Sequence, residues 1–251
     1  MSDETERLGK RLAELAARSA QAGIYVFTPF LGLAEQNILR TLTPSLPAAY
    51  TLYGGAEGCE RVMARFGSEE DFGYAEDFPI VILGITPAAP KFAEPLTHRD
   101  YLGALLNLGM ERQTLGDIIV REGVAYLFAD EKIAPYLQAE LTRVRHTDVC
   151  VAPVTELPPG ALYVTEDVRL PVASERLDAM VARLWNLSRE DAGDLFRRSL
   201  VFCEGREVTS PSFTPKPGDI VSVRGYGRFR YQGVRGETRK GKLNAIVSKY
   251  V

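Results

Sequence analysis

Apolar residues near the start of the chain follow the spacing of an amphipathic helix. Four of them fall on one helical face: Leu8, Leu12, Leu15 and Ala16. Gly23 then supplies a stop signal. The pattern predicts a second helix over 33–42 and a pair of short strands over 50–53 and 61–66. Residues 1–76 are therefore predicted to form a small N-terminal α/β unit.

The next stretch of the chain alternates between strand and helix patterns. We predict strands over 79–85, 117–120, 124–128 and 149–154. Helices are predicted over 97–109, after the first strand, and over 130–141, after the third. Thr97 with Asp100 three residues on has the spacing of a capping box, and Glu122-Gly123 is a hairpin turn signal. The order β-α-β-β-α-β predicts an RRM-like or ferredoxin-like middle domain over residues 77–155.

Tyr126 and Phe128 lie on one face of the third strand predicted in this domain, where an RRM carries its RNA-stacking aromatics. They could stack on RNA or pack in the core, and we expect them to belong to the core.

Pro158-Pro159 marks a stiff linker, which we place at residues 156–173. A well-formed helical stripe follows, made of Leu177, Met180, Val181, Leu184 and Trp185. Ser188 with Asp191 caps a second helix, and short strands with a turn at Glu204-Gly205 come after it. Residues 174–251 are predicted to be a third domain that ends in basic strands, and the whole chain is α+β in class.

Composition limits the class of protein. Hydrophobic residues make up 45% and charged residues 25% of the 251 residues, as in an ordinary globular protein. The acidic N-terminus lacks the apolar region of a secretory signal. The three cysteines are far apart, which argues against a disulfide framework and leads us to expect a cytoplasmic protein. With only two histidines besides, we expect no metal site.

Charge is distributed unevenly along the chain. Residues 174–251 carry 15 basic and 9 acidic residues, a net charge of +6, whereas residues 1–173 carry a net charge of −9. Between Arg224 and Lys249 there are eight basic residues and one acidic residue, Glu237. Such asymmetry favours a polyanion-binding module at the C-terminal end of the chain.

Two segments resemble catalytic motifs, but the residues around them do not fit those motifs. Residues 236–242 fit the spacing of a phosphate-binding loop, but Leu243 replaces the required Ser or Thr and the following pattern is that of a strand, not a helix. His98-Arg99-Asp100 resembles a kinase catalytic loop, but no glycine-rich loop precedes it. We therefore expect a protein that is not an enzyme and has no cofactor.

Basic residues of the C-terminal region are the candidates for nucleic-acid contact. Arg189 follows the helix cap Ser188, where the free N–H groups of the first turn favour a phosphate. Arg228 and Arg230 alternate with two aromatic residues that we expect to be core. The predicted RNA-binding residues are Arg176, Ser188, Arg189, Arg197, Arg198, Arg206, Lys216, Arg228 and Arg230. We expect their guanidinium groups to converge on one face.

The same region resembles the S4-type RNA-binding domain, which is built on the α-L motif. The resemblance rests on four segments: Ser174–Asp178, Leu187–Arg189, Val201–Val208 and Lys216–Val223. Two residues depart from the S4 pattern at tight backbone points. Ser199 stands where a glycine is usual, and Glu204, where an asparagine is usual, would place a negative charge near the RNA surface.

Three further segments, Phe30–Leu42, Tyr53–Gly55 and His98–Ile119, extend the resemblance to the YlmH-type S4-domain proteins. That resemblance implies a non-enzymatic factor that binds structured rRNA or tRNA on the large ribosomal subunit. It also implies protein partners in the quality control of stalled nascent chains. The longest apolar stretch, Phe78–Ile85, is too short to span a bilayer, so we expect no membrane insertion. Two alternatives remain: an RNA-modifying enzyme with an unrecognised catalytic domain, and an interaction protein for cell division or photosystem assembly.

Overall fold

The protein divides into two compact units, Met1–Leu162 and Tyr163–Val251. The structure is a computed structural model and describes residues 3–160, 162–239 and 241–250. The regions 1–76 and 77–155, predicted as separate domains, both lie in the first unit.

The first unit contains thirteen helices and strands among its described residues, apart from short 3₁₀ turns. They are α1 Asp3–Ala22, β1 Val26–Phe27, α2 Leu33–Leu42, β2 Tyr50–Tyr53, β3 Met63–Phe66, α3 Glu69–Phe72, β4 Ile80–Pro87, α4 His98–Asn107, β5 Leu115–Arg121, β6 Val124–Asp130, α5 Ala134–Glu140, β7 Arg143–Val144 and β8 Thr147–Pro153.

The N-terminal region is a small antiparallel sheet covered by two helices. Its strand order is β1-β3-β2, and the predicted pairing of 50–53 with 61–66 is confirmed. Leu12 and Ala16 of α1 are fully buried, as the helical spacing predicts, and they pack with Leu39 and Phe66. Burial of this apolar stripe stabilises the pair of helices on the sheet.

The middle region has the predicted βαββαβ order, with its four long strands arranged as in a ferredoxin-like fold. The antiparallel sheet has the order β5-β6-β4-β8-β7, so β4 lies between β6 and β8. Helices α4 and α5 cover one face, where Leu105, Leu127 and Leu137 are fully buried. The Thr97 hydroxyl and N–H donate to the Asp100 carboxylate over 2.7 and 2.8 Å. These bonds confirm the predicted capping interaction and lower the pKa of Asp100.

The fifth helix begins later than predicted. A 3₁₀ turn occupies Glu131–Ile133, and the Asp130 carboxylate accepts the N–H of Lys132 over 3.0 Å. Helix α5 begins at Ala134, which places Pro135 in its first turn. Proline is tolerated there because the N–H groups of a first turn have no partner within the helix.

Two side chains tie the N-terminal region to the middle region. The Arg61 guanidinium donates to the carbonyl oxygens of Leu115, Phe30 and Arg112 over 2.9–3.1 Å. The buried Asp117 carboxylate accepts the N–H groups of Glu60 and Arg61 over 2.6 and 3.2 Å. Burial lowers the pKa of Arg61. These bonds explain why the two regions form one unit.

The second face of the middle sheet is packed against the N-terminal region. Phe128 is fully buried, and a Cβ added at Gly55 would lie 2.5 Å from its ring. A Cβ at Gly116 would lie 2.8 Å from the ring of Phe30. Phe128 is therefore a core residue, as expected, whereas Tyr126 on the same face is only half-buried. The contact between the sheet and the N-terminal region therefore requires glycine at positions 55 and 116, because a side chain there would clash with a phenylalanine ring.

The second unit is a six-stranded antiparallel sheet with two helices among its described residues. Its elements are β9 Thr165–Val172, α6 Leu177–Leu184, α7 Arg189–Arg197, β10 Val201–Cys203, β11 Arg206–Glu207, β12 Ile220–Val223, β13 Gly227–Glu237 and β14 Leu243–Tyr250. The strand order is β11-β10-β12-β13-β14-β9. Residues 236–242, which fit a phosphate-binding loop by spacing, begin in the last two residues of β13 and continue to the start of β14. Lys240 of this segment lies outside the described residues.

The predicted linker at 156–173 is wrong in its second half. Residues 165–172 form β9, which pairs along its whole length with β14, from Thr165 opposite Tyr250 to Val172 opposite Leu243. The partner strand lies more than seventy residues away in the sequence. The local pattern therefore gave no sign of the pairing.

Helices α6 and α7 pack on one face of this sheet. Met180, Phe196, Phe229 and Tyr231 are among the side chains buried between the two layers. The expectation that Phe229 and Tyr231 are core is confirmed. Because side chains alternate along a strand, their neighbours Arg228 and Arg230 lie on the opposite face.

In residues 3–160, 162–239 and 241–250, no helix has both the length and the hydrophobicity needed to span a bilayer.

Candidate nucleic-acid interface

The start of α6 holds Arg176 in a fixed orientation. Arg176 is the N-cap residue, and its Nε and Nη2 atoms donate to the two carboxylate oxygens of Asp178 over 3.1 and 2.7 Å. Asp178 is 8% exposed and also accepts the N–H of Ala179. The hydrogen bonds to this carboxylate raise the pKa of Arg176. The exposed guanidinium is thus oriented by a two-point contact, which leaves its other N–H groups for an external acceptor.

At the start of α7, Ser188 acts within the fold. Its Oγ accepts the N–H of Asp191 over 3.0 Å and donates to the Asp191 carboxylate over 2.7 Å. This is the predicted cap. Arg189 is the first residue of the helix, and its side chain is exposed and makes no ion pair with another described residue.

The end of α7 carries two arginines, which differ in whether they form an ion pair. Arg197 forms an ion pair with Asp194, one turn before it. Arg198 is the C-cap residue, is exposed, and makes no ion pair with any described side chain. Part of the charge of Arg197 is therefore balanced within the helix, while Arg198 presents its charge to solvent.

The two residues that depart from the S4 pattern both have left-handed backbones. Ser199 has φ 54° and Glu204 has φ 50°, a region that favours glycine or asparagine. Ser199 Oγ donates to the Glu207 carboxylate over 2.6 Å, and Glu204 accepts the N–H of Ile220 over 2.8 Å. The Glu204 carboxylate is half-buried and bonded inside the domain, so its charge is partly used within the fold.

Arg206 and Lys216 border the hairpin. Arg206 pairs with Cys203 across β10 and β11, and Cys203 packs in the core beneath the helices. Because directly opposed residues share a face, the Arg206 side chain emerges on the helix side of the edge strand. Lys216 is exposed in the loop before β12, where its N–H donates to the Asp219 carboxylate over 2.8 Å.

The predicted residues therefore do not share one face. Arg176, Ser188, Arg189, Arg197 and Arg198 belong to the helix layer, and Arg206 emerges on that side of the sheet. Arg228 and Arg230 lie on the opposite face, next to Ser222 and Ile220 of β12.

The prediction missed four residues of the opposite face: Tyr163, Phe202, Arg224 and Tyr250. Arg224 lies over the ring of Phe202, and Arg228 lies over the rings of Tyr250 and Tyr163. A signal for Phe202 was present in the sequence, because it alternates with the apolar core residues Val201 and Cys203.

Titratable groups of the second unit do not suggest covalent chemistry. Burial, reinforced by Asp219, raises the pKa of Cys203 to about 12, which keeps the thiol protonated and unreactive. The Tyr231 hydroxyl donates to Glu175, and burial raises its pKa. Within the described ranges, no three His, Cys, Asp or Glu side chains are grouped as metal ligands.

Comparison with known proteins gives a family match in the middle region. A family model described as a putative RNA-binding domain in YlmH matches residues 74–156, which contain the βαββαβ sheet. A solved structure described as the cell division protein ylmH from Streptococcus pneumoniae is similar with a TM-score of 0.50 and 22% identity. The similarity covers 61% of this chain and 93% of that chain, and it supports the fold alone.

Two curated proteins are also similar. The small ribosomal subunit protein uS4 of Dictyoglomus thermophilum is 39% identical over 61 residues, which are 24% of this chain and 30% of that protein. The ribosome-associated protein quality control protein P2 of Bacillus subtilis is 30% identical over 219 residues, which are 86% of this chain and 83% of that protein. Similarity of this extent, together with the matching middle domain, shows that the chain belongs to the YlmH family.

Proposed function

We propose that this protein is an RNA-binding factor that acts on the ribosome without catalysing a reaction. The name of the Bacillus subtilis relative and the similarity to a ribosomal protein support this role. We further propose that it binds structured rRNA or tRNA on the large subunit and takes part in the quality control of stalled nascent chains. Its partners would then be the ribosome and other proteins of that machinery, in the cytoplasm.

The observation that carries the proposal is the set of unpaired cations on the helix side of the second unit. Arg189, Arg198 and Arg206 are exposed and make no ion pair with described residues. They lie within residues 174–251, whose net charge is +6. Arginine donates to phosphate through a planar fork of N–H groups. Phosphate contacts recognise the shape and position of a folded RNA and not its base sequence.

The middle region supports placing the main RNA contact in the second unit. Residues 74–156 carry 12 acidic and 7 basic residues, a net charge of −5. The sheet face on which an RRM stacks bases holds Phe128 beneath the N-terminal region. RNA binding through that aromatic residue would require the first unit to open.

A salt titration of binding tests the helix-side contact. Arg189→Ala combined with Arg198→Ala removes two exposed charges, and Arg11→Ala combined with Arg18→Ala on α1 removes two exposed charges elsewhere. We expect the log–log slope of rRNA or tRNA affinity against salt to flatten by about 1.4 to 1.8 in the first variant, because each lost phosphate contact contributes about 0.7 to 0.9. The α1 variant keeps the wild-type slope. Equal slopes in all three proteins would remove these residues from the site.

Two further measurements separate the alternatives. Co-sedimentation with large subunits at low salt is expected for the ribosomal factor, and its absence would favour a protein scaffold. The mass of RNA incubated with the protein and common cofactors is expected to stay constant. A cofactor-dependent change in mass would contradict the non-enzymatic role.

A further inference from the structure

The face of the second sheet opposite α6 and α7 carries a row of side chains across four strands. Phe202 of β10 lies opposite Ser222 of β12, and Ser222 lies opposite Arg228 of β13. Arg228 in turn lies 4.5 Å from the ring centre of Tyr250 on β14. Adjacent strands are about 4.8 Å apart, so the row extends for about 14 Å.

Both ends of the row hold an arginine stacked on an aromatic ring. The Cζ atom of Arg224 lies 4.4 Å from the ring centre of Phe202. Arg228 lies over Tyr250 and also 5.4 Å from the ring centre of Tyr163. Tyr163 and Tyr250 contact each other edge to face at 5.5 Å. Cation–π contact holds the guanidinium groups over the rings and limits their motion.

These side chains are not part of the hydrophobic core of the second unit. Arg224 is exposed, and Phe202, Arg228, Tyr163 and Tyr250 are half-buried. The core lies on the other side of the sheet, between the strands and the helices. Maintaining that core does not require an aromatic side chain at these positions.

Charge on this face is positive. Arg230 follows in the next row, and Arg169 of β9 lies opposite Ile246 on the same side. Two acidic residues of the strands lie on this face: Asp167 accepts a hydrogen bond from Ser248, and Glu207 accepts one from Ser199. In the turn after β10, Glu204 lies opposite Ile220, and its carboxylate accepts the N–H of Ile220. The four arginines outnumber these carboxylates, each of which is hydrogen-bonded within the domain, so the face complements a polyanion.

We propose that this face binds unpaired nucleotides of RNA. Bases stack on the two guanidinium–aromatic pairs, and Arg230 contacts the backbone phosphate. Unpaired bases expose their rings, and proteins bind them on aromatic side chains and on guanidinium planes. This inference rests on the proposed RNA-binding function, but it concerns the face of the sheet opposite α6 and α7. A folded RNA with an unpaired segment could then engage both faces.

A pair of probes tests the inference. The first probe is a single-stranded oligouridylate, and the second is an RNA hairpin with a long stem. The test variant is Arg224→Lys combined with Arg228→Lys, which keeps both charges but removes the planar groups that stack. We expect it to lose about tenfold or more in affinity for oligouridylate, because stacking contributes strongly to single-strand binding. Its affinity for the hairpin stays the same.

A second variant and a matched control complete the design. Phe202→Leu removes one aromatic ring without a charge change and is expected to weaken oligouridylate binding in the same direction. Arg11→Lys combined with Arg18→Lys on α1 changes two exposed arginines of the first unit and leaves both affinities unchanged. Thermal unfolding of each variant verifies that the second unit is folded.

The outcomes distinguish the two proposals. If wild-type protein binds the hairpin through Arg189 and Arg198 but oligouridylate binding does not depend on Arg224 and Arg228, this inference is wrong and the proposed function stands. If wild-type protein binds neither probe, the proposed function fails. If a poly-glutamate peptide binds and loses affinity in the lysine variant while oligouridylate does not, the face docks an acidic protein segment, and the RNA proposal is overturned.

Discussion

Five non-glycine residues of the described chain have a left-handed backbone, which favours glycine. Three of them, Ser199, Glu204 and Glu122, differ in how the fold compensates the cost. Ser199 and Glu204 each use their side chains in a hydrogen bond within the second unit. Glu122, with φ 49°, is exposed in the turn between β5 and β6, where no side-chain bond of this residue with the described chain offsets the cost. The backbone strain at Glu122 is therefore not offset by a side-chain hydrogen bond to the described chain.

Glu122→Asn is expected to stabilise the first unit. Glu122 and Gly123 both have positive φ, as in the hairpin turn for which Asn-Gly is the preferred pair. Asparagine adopts the left-handed region at lower cost than glutamate, so we expect a gain of about 0.5–1 kcal/mol in the free energy of unfolding. Urea denaturation measures it. Glu122→Gln removes the same charge but keeps the strain, and an equal gain in that variant would assign the effect to charge.

At the scale of the element, the boundaries of α7 follow from its cap. Ser188 and Asp191 have the spacing of a helix start, and the helix begins at the next residue, Arg189. Ser188 was predicted as an RNA-binding residue, but both hydrogen bonds of its side chain are with Asp191. Its geometry supports a structural role that holds Arg189 at the helix start.

Ser188→Ala is expected to cost the second unit about 1 kcal/mol of stability, because the N–H of Asp191 loses its acceptor. RNA affinity per folded molecule stays unchanged. Chemical denaturation and a binding titration of the same preparation measure the two effects. Ser188→Asn, which can cap the helix, is expected to retain the stability. Loss of RNA affinity without loss of stability would show that Ser188 contacts RNA directly.

Strand β9 shows where element-level prediction fails. The segment 165–172 follows a proline pair and begins with polar residues, so its local pattern indicates a linker. Its hydrogen-bonding partner, β14, is at the end of the chain. Strand pairing depends on a partner that may lie anywhere in the sequence, whereas helix formation depends on residues a few positions apart.

At the scale of the molecule, Arg61 and Asp117 join the N-terminal and middle regions by hydrogen bonds. The N-terminal and middle regions have separate clusters of buried apolar residues, although both lie in the first unit. The hydrogen bonds of Arg61 to three backbone carbonyls join them. A single arginine thus satisfies acceptors that would otherwise lose hydration when the regions pack together.

Arg61→Lys is expected to destabilise the first unit by about 1–3 kcal/mol, because a lysine ammonium cannot reproduce the planar set of donors and leaves buried carbonyls unpaired. Hydrogen exchange is expected to show lower protection in α1 and in β4–β6 together. Arg40→Lys on the exposed surface of α2 serves as the control. Loss of protection confined to residues 1–76 would show instead that the two regions unfold as separate domains.

The sequence alone determined the charge asymmetry of the chain and those elements whose pattern is local. The helical stripe of α6, the cap of α7, the βαββαβ order and the tight turn at Glu204 all depend on residues that are close together in the chain. Periodicity and turn chemistry are local properties, which is why reasoning from the sequence found these features.

Tertiary structure decided which surfaces those elements present. Alternation along β13 separated Arg228 from Phe229, but only strand pairing brought Phe202 and Tyr250 to the same face as Arg228. Tyr163, which precedes β9, joins them through its contacts with Arg228 and Tyr250. Packing of the N-terminal region likewise placed Phe128 in the core. Both outcomes depend on contacts between residues far apart in the chain. The local sequence around each residue does not indicate which distant residue it will contact.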